Sequence, residues 1–169
     1  MTGMLHLAAA VAIVSTAMVV TRRDAVHALL YLVVSLLAVA LVFFALGAPF
    51  VAALEVIVYA GAIMVLFLFV VMMLNLGRSA AVHEALWLPR RIWRGPVILS
   101  LLLLAELAFV LAHGGAAGAP AGPAPAGPKQ VGIVLYGPYL VGVELASMLL
   151  LAGLAGAFHL GRREPARER

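Results

Sequence analysis

Within residues 51 to 76, VAALEVIVYAGAIMVLFLFVVMMLNL, a carboxylate (Glu55), a phenol (Tyr59) and a glycine (Gly61) interrupt an otherwise apolar run. The run is long enough to cross a bilayer, which takes about 20 apolar residues. An ionisable group in hydrocarbon costs roughly 2.5–3.5 kcal/mol on insertion scales, so such groups mark ion or proton paths. Glu55 and Tyr59 stand four apart and share one helix face. In that position Tyr59 could pass or orient a proton from Glu55 or from an intervening water. The plainer alternative makes Tyr59 an amphipathic packing residue and Glu55 an interfacial carboxylate. Glu55 is only about 7 Å into the run at 1.5 Å per residue. Gly61 lies between Ala60 and Ala62. Small residues let membrane helices approach closely. A glycine is also a point where a helix can deform, and single-turn π-bulges are frequent at functional sites. Composition leaves both readings of Gly61 open.

Two more acids fall in apolar runs, Glu106 and Glu144. No Lys or Arg lies inside any of these runs. Each acid must therefore be protonated, face water or pair with a group on another protein. Ser147, three residues after Glu144, shares its face and could hydrogen-bond it. Small residues recur at spacing four around them: Gly142 and Ala146, Ala152 and Gly156, Gly153 and Ala157. That pattern marks a helix that packs against a partner. Glu106 has no polar neighbour at i±3 or i±4. The other acids, Asp24, Glu84, Glu164 and Glu168, sit beside arginines and read as solvated, paired groups.

These residues are held by an all-α integral membrane fold. The chain has 169 residues and is 66% hydrophobic, where a soluble domain is about 45–50% apolar. Five spans are expected, at about 4–20, 28–46, 51–76, 96–113 and 138–160, in a single membrane domain over 1–169. The short link GAPF makes the second and third spans antiparallel neighbours. With five spans, ten of the eleven Lys and Arg residues face one side, and only Lys129 faces the other. The positive-inside rule makes the basic side cytoplasmic, with the N-terminus outside and the C-terminus inside. Segment 77–95, with Trp87 and Trp93 among arginines, is expected along the membrane surface. Segment 114–130 is a Gly/Ala/Pro tract that reads as a flexible outer linker.

Several chemistries find no residues to carry them. The absence of cysteine excludes disulfides and cysteine-ligated clusters in this chain. The five histidines are scattered near helix ends with no ligand-pair spacing. The net charge of +4 reports topology, not nucleic-acid binding. No phosphate loop or nucleophile–base arrangement is present.

The run HALLYLVVSLLAVALVFFALGAPFVAALEVIVYAGAIMVLFLFVVMMLNLG, 27 to 77, closely resembles the J subunit of bacterial respiratory complex I, the proton-pumping NADH:quinone oxidoreductase. The run YGPYLVGVELASMLLLAGLAGAFHLGR, 136 to 162, is similar to that family's last helix. The order of Glu, Tyr, Gly and Met in EVIVYAGAIMVLF is the specific element. The resemblance implies a core membrane-arm subunit in the bacterial inner membrane. Its partners would be the quinone-site subunit, a K-type subunit and antiporter-like subunits. It implies a third helix with a π-bulge around Tyr59 to Val65 that switches between π and α forms. That switch would gate a water path coupling quinone reduction to proton translocation. Carried over by position, Tyr59, Gly61, Met64 and Val65 are the implied gating residues, followed by Glu55 and Glu144. NADH, FMN, iron–sulfur clusters and quinone would belong to other subunits, with no cofactor, metal or catalytic centre here. A purely structural scaffold within the same complex and a free-standing small transporter are the competing readings.

Overall fold

The computed structural model describes residues 2–22, 25–73, 93–112 and 126–162, which are helices joined by short turns. Helix α1 spans Thr2–Thr21 and α2 spans Ala25–Ala45. The third span is built of three pieces: α3 (Pro49–Leu54), a π-helix π1 (Glu55–Ile63) and α4 (Met64–Met73). Helix α5 spans Arg94–Ala112, α6 spans Pro128–Leu135 and α7 spans Leu140–Gly161. Five stretches are long and apolar enough to cross a membrane: Gly3–Thr21, Ala25–Ala45, Pro49–Val71, Arg94–Ala112 and Leu140–Gly161. These are the five expected spans, with ends moved by a few residues. Of the expected surface segment 77–95, only 93–95 lie among the described residues. Of the expected linker 114–130, only 126–130 do, and there the expectation is corrected. Pro128 opens α6, and the Gln130 side chain accepts a hydrogen bond from the Gly127 N–H at 2.6 Å. A proline at the first helical position with a Gln two residues later is a helix start. The tract's composition concealed it.

The chain forms two compact units, Met1–Pro125 and Ala126–Arg169. In the first, α2 is the central helix, packed by α1, by the whole third span and by α5. Its core is a layer of Val11, Val34, Ala38 and Leu103, flanked by Ala12, Leu37, Leu41 and Leu99. In lipid the hydrophobic effect does not drive helices together, so close packing and interhelical hydrogen bonds must. Thr16 Oγ1 donates to the Ala12 carbonyl at 2.8 Å, which leaves the Ser35 hydroxyl to donate to Thr16 at 2.7 Å. One turn before Ser35 on α2, the Tyr31 ring has the Arg22 guanidinium 5.4 Å from its centre. The Tyr31 hydroxyl fills the place a side chain at Gly95 would take. Three helix ends thus meet at one tyrosine.

The second-to-third span turn follows from three residues. Gly47 takes φ +81°, a left-handed conformation that costs glycine nothing. Its N–H bonds the Phe44 carbonyl and the Ala48 N–H bonds the Phe43 carbonyl, both at 3.0 Å. This is the Schellman arrangement that closes a helix C-terminus. Pro49 then starts α3 at once. The second unit contains α6 and α7, with the chain turning through 136–139 between them.

Candidate proton-path site on the third span

The third span enters as ordinary α-helix, with the Glu55 N–H bonded to the Val51 carbonyl four residues back. From Glu55 to Ile63 the winding widens to i→i+5 bonding. At its end the Met64 N–H still reaches the Tyr59 carbonyl, five residues back. Nine π residues exceed the usual single-turn bulge. The sequence here supports such a winding. Val56, Ile57 and Val58 crowd a tight helix through their branched Cβ atoms. Gly61 removes an obstacle, because a Cβ there would lie 3.2 Å from the Val56 carbonyl oxygen.

The π segment holds Glu55, Tyr59 and Gly61 together but does not extend to Val65. The expected bulge at Tyr59 to Val65 is therefore corrected to Glu55–Ile63, with Met64 and Val65 in the α-helix that follows. The site residues also divide by face. Met64 is buried, 4% exposed, on a span that packs along α2. Tyr59 is 51% exposed and Val65 63%. Glu55 and Gly61 are half-buried. The phenol thus lies on a side of the span that the described residues leave uncovered, while Glu55 is partly covered.

Glu144 lies in the second unit, exposed on α7. Ser147 does bond to it, but to its backbone carbonyl at 2.7 Å and not to its carboxylate. A hydroxyl reaching back along its own helix satisfies itself locally. The small-residue positions Gly142, Gly153 and Gly156 have open space beside them. Glu106 is half-buried on α5, with Oε2 shielded and without a hydrogen-bond partner among the described residues. Ser15 Oγ is likewise buried and unpartnered among them. Ser15, Thr16, Ser35, Tyr31 and Gly95 carry no role in the sequence reading. Their only signal is polarity or small size inside apolar runs, which does not reveal the helix each one faces. No group of three or more His, Cys, Asp or Glu side chains that could hold a metal occurs among the described residues.

A family model described as NADH-ubiquinone/plastoquinone oxidoreductase chain 6 matches residues 15–160. The NADH-quinone oxidoreductase subunit J of Pseudomonas aeruginosa is 58% identical over 159 residues, covering 94% of this chain and 95% of the relative. That of Escherichia coli is 54% identical over 163 residues, covering 96% and 88%. That of Rhodobacter capsulatus is 40% identical over 167 residues, covering 94% and 80%. These matches run through the π segment and nearly the whole length of both partners. The chain belongs to the subunit J family of NADH-quinone oxidoreductase, membrane-arm chains of complex I whose cofactors lie in other subunits.

Proposed function

We propose that this chain couples quinone reduction to proton translocation, with the third span as a gate on a water path. The observation that supports the reading is the π-helix Glu55–Ile63, which contains Tyr59 and Gly61 within a stretch long and apolar enough to cross a membrane. Tightening one such turn to α geometry would rotate α4 by about 100°, one residue's share of a 3.6-residue turn. The buried position would then pass from Met64 to a neighbour, and Val65 would change face. Met64 and Val65 thereby read out the switch that Gly61 permits. Tyr59 is the proton-relaying hydroxyl, with Glu55 feeding it from the same face. Its exposure favours a path along the boundary with a neighbouring subunit and not through this bundle. Glu144 serves a separate boundary on α7. The neighbours are the quinone-site subunit, the K-type subunit and the antiporter-like subunits of the bacterial inner membrane. The N-terminus is outside and the C-terminus cytoplasmic.

A stiffening Gly61→Leu tests the gate. The assembled complex should lose quinone-linked proton pumping while NADH oxidation by artificial acceptors stays intact. Normal pumping in that complex removes the gate. A scaffold role is the second reading, favoured by the open faces of the third span and α7. Under it, Tyr59→Phe and Glu144→Gln alter assembly or nothing, never coupling.

A further inference from the structure

We infer that one water molecule is held between α1 and α2, bridging the hydroxyls of Ser15 and Ser35. Ser15 is fully buried, and its Oγ has no hydrogen-bond partner among the described residues. A buried hydroxyl without a partner is destabilising, and native proteins satisfy such groups with protein or with ordered water. The residue's own helix does not satisfy this one. On α1, Thr16 and Thr21 each donate to the carbonyl four residues back, at 2.8 and 2.9 Å. Ser15 has the Val11 carbonyl at the same spacing and makes no such bond. Its hydroxyl needs a partner from outside α1.

Position says where that partner lies. Ser15 stands one turn after Val11, which forms one core layer with Val34 and Ala38 of α2 and Leu103 of α5. Ser35 follows Val34 on α2 and is itself buried. The Ala12 carbonyl links the two serines: it belongs to the turn before Ser15 and lies 3.4 Å from Ser35 Oγ. Yet no direct bond joins them. A water spans such a gap, taking about 2.8 Å on each side. Ser35 gives its proton to Thr16, and Thr16 gives its own to the Ala12 carbonyl, so the lone pairs of Ser35 stay open. Ser15 donates to the water, and the water donates to Ser35. The second lone pair of the Val11 carbonyl is the acceptor at hand for the water's other proton. Water can reach the site, because Ser15 is about 9 Å from the Thr21 end of α1 at 1.5 Å per residue and Thr16, further along the bonded chain, is exposed. This bridge stands whether or not the third span switches.

The test is a structure of the intact complex at a resolution that shows buried waters. A peak should lie within hydrogen-bonding distance of both Ser15 Oγ and Ser35 Oγ. It should vanish in Ser15→Ala and in Ser35→Ala, each of which removes one end of the bridge. Heat inactivation gives a second readout. A hydroxyl buried dry is better removed, so Ser15→Ala would then raise the temperature of half-inactivation. With the bridge in place, the same variant should leave that temperature unchanged or lower it. Ser15 Oγ turned onto the Val11 carbonyl overturns the proposal. So does an empty bridge where other buried waters of the membrane arm are seen, a peak that survives both variants, or a raised half-inactivation temperature in Ser15→Ala.

Discussion

At Tyr59 and Gly61 single atoms decide the outcome. Tyr59 is half exposed and sits in the π segment. The hydroxyl removed in Tyr59→Phe makes no hydrogen bond among the described residues, so assembly should be unchanged. Proton pumping per quinone reduced should fall several-fold, measured in vesicles against the rate with an artificial acceptor. Gly61→Ala is a gentler test than leucine. The added Cβ meets the Val56 carbonyl oxygen at 3.2 Å in the π winding. Alanine also favours an α-helix over glycine by about 1 kcal/mol, a shift of about fivefold toward the α form. Pumping by Gly61→Ala should fall between wild type and Gly61→Leu, and an order in which alanine is worse than leucine contradicts the winding argument. Glu55, Tyr59 and Gly61 were legible from residue type and spacing. That Met64 is buried while its neighbour Val65 is exposed was not. Both are apolar, and a helix apolar all round shows no preferred face to the reader of its sequence.

At the scale of elements, packing in the first unit rests on a few polar and small-residue contacts. The Thr16–Ser35 bond joins α1 to α2. Such interhelical bonds average about 0.6 kcal/mol in measured membrane bundles. The tyrosine notch at Gly95 is steric, so its loss should cost more. Gly95→Ala places a methyl on the Tyr31 hydroxyl and should lower the yield of assembled complex and the temperature of half-inactivation. Tyr31→Phe removes the clashing oxygen and should restore part of that loss in the double variant. A double variant no better than Gly95→Ala alone means the glycine serves another purpose. Neither contact could be read from the chain, because residues 31 and 95 meet only after α5 returns alongside α2.

For the whole molecule, the orientation proposed from its arginines is open to direct measurement. The chain has no cysteine, so introduced thiols report without background. Lys129→Cys should react with a membrane-impermeant maleimide from outside intact cells, and Arg163→Cys only after the membrane is opened. The reverse pattern inverts the topology. Five spans follow from length and hydropathy alone, because a bilayer demands about 20 apolar residues per crossing whatever surrounds them. The tract before residue 131 misled by composition, and a short helix capped by Gln130 occupies its end.

What the chain by itself determined are properties that each segment carries alone. These are the number and lengths of its spans, the imbalance of its arginines, the turn at Gly47, the spacing of Glu55 and Tyr59, and the family to which the matching runs pointed. The tertiary structure decided which side of each span is covered. It put Met64 inward and Tyr59 outward and extended the π winding over Glu55–Ile63. The physical reason is that a sequence in lipid advertises its depth through hydropathy but hides its neighbours. Lipid tails and leucine side chains are equally apolar, so only packed geometry distinguishes a face that meets protein from one that meets the bilayer.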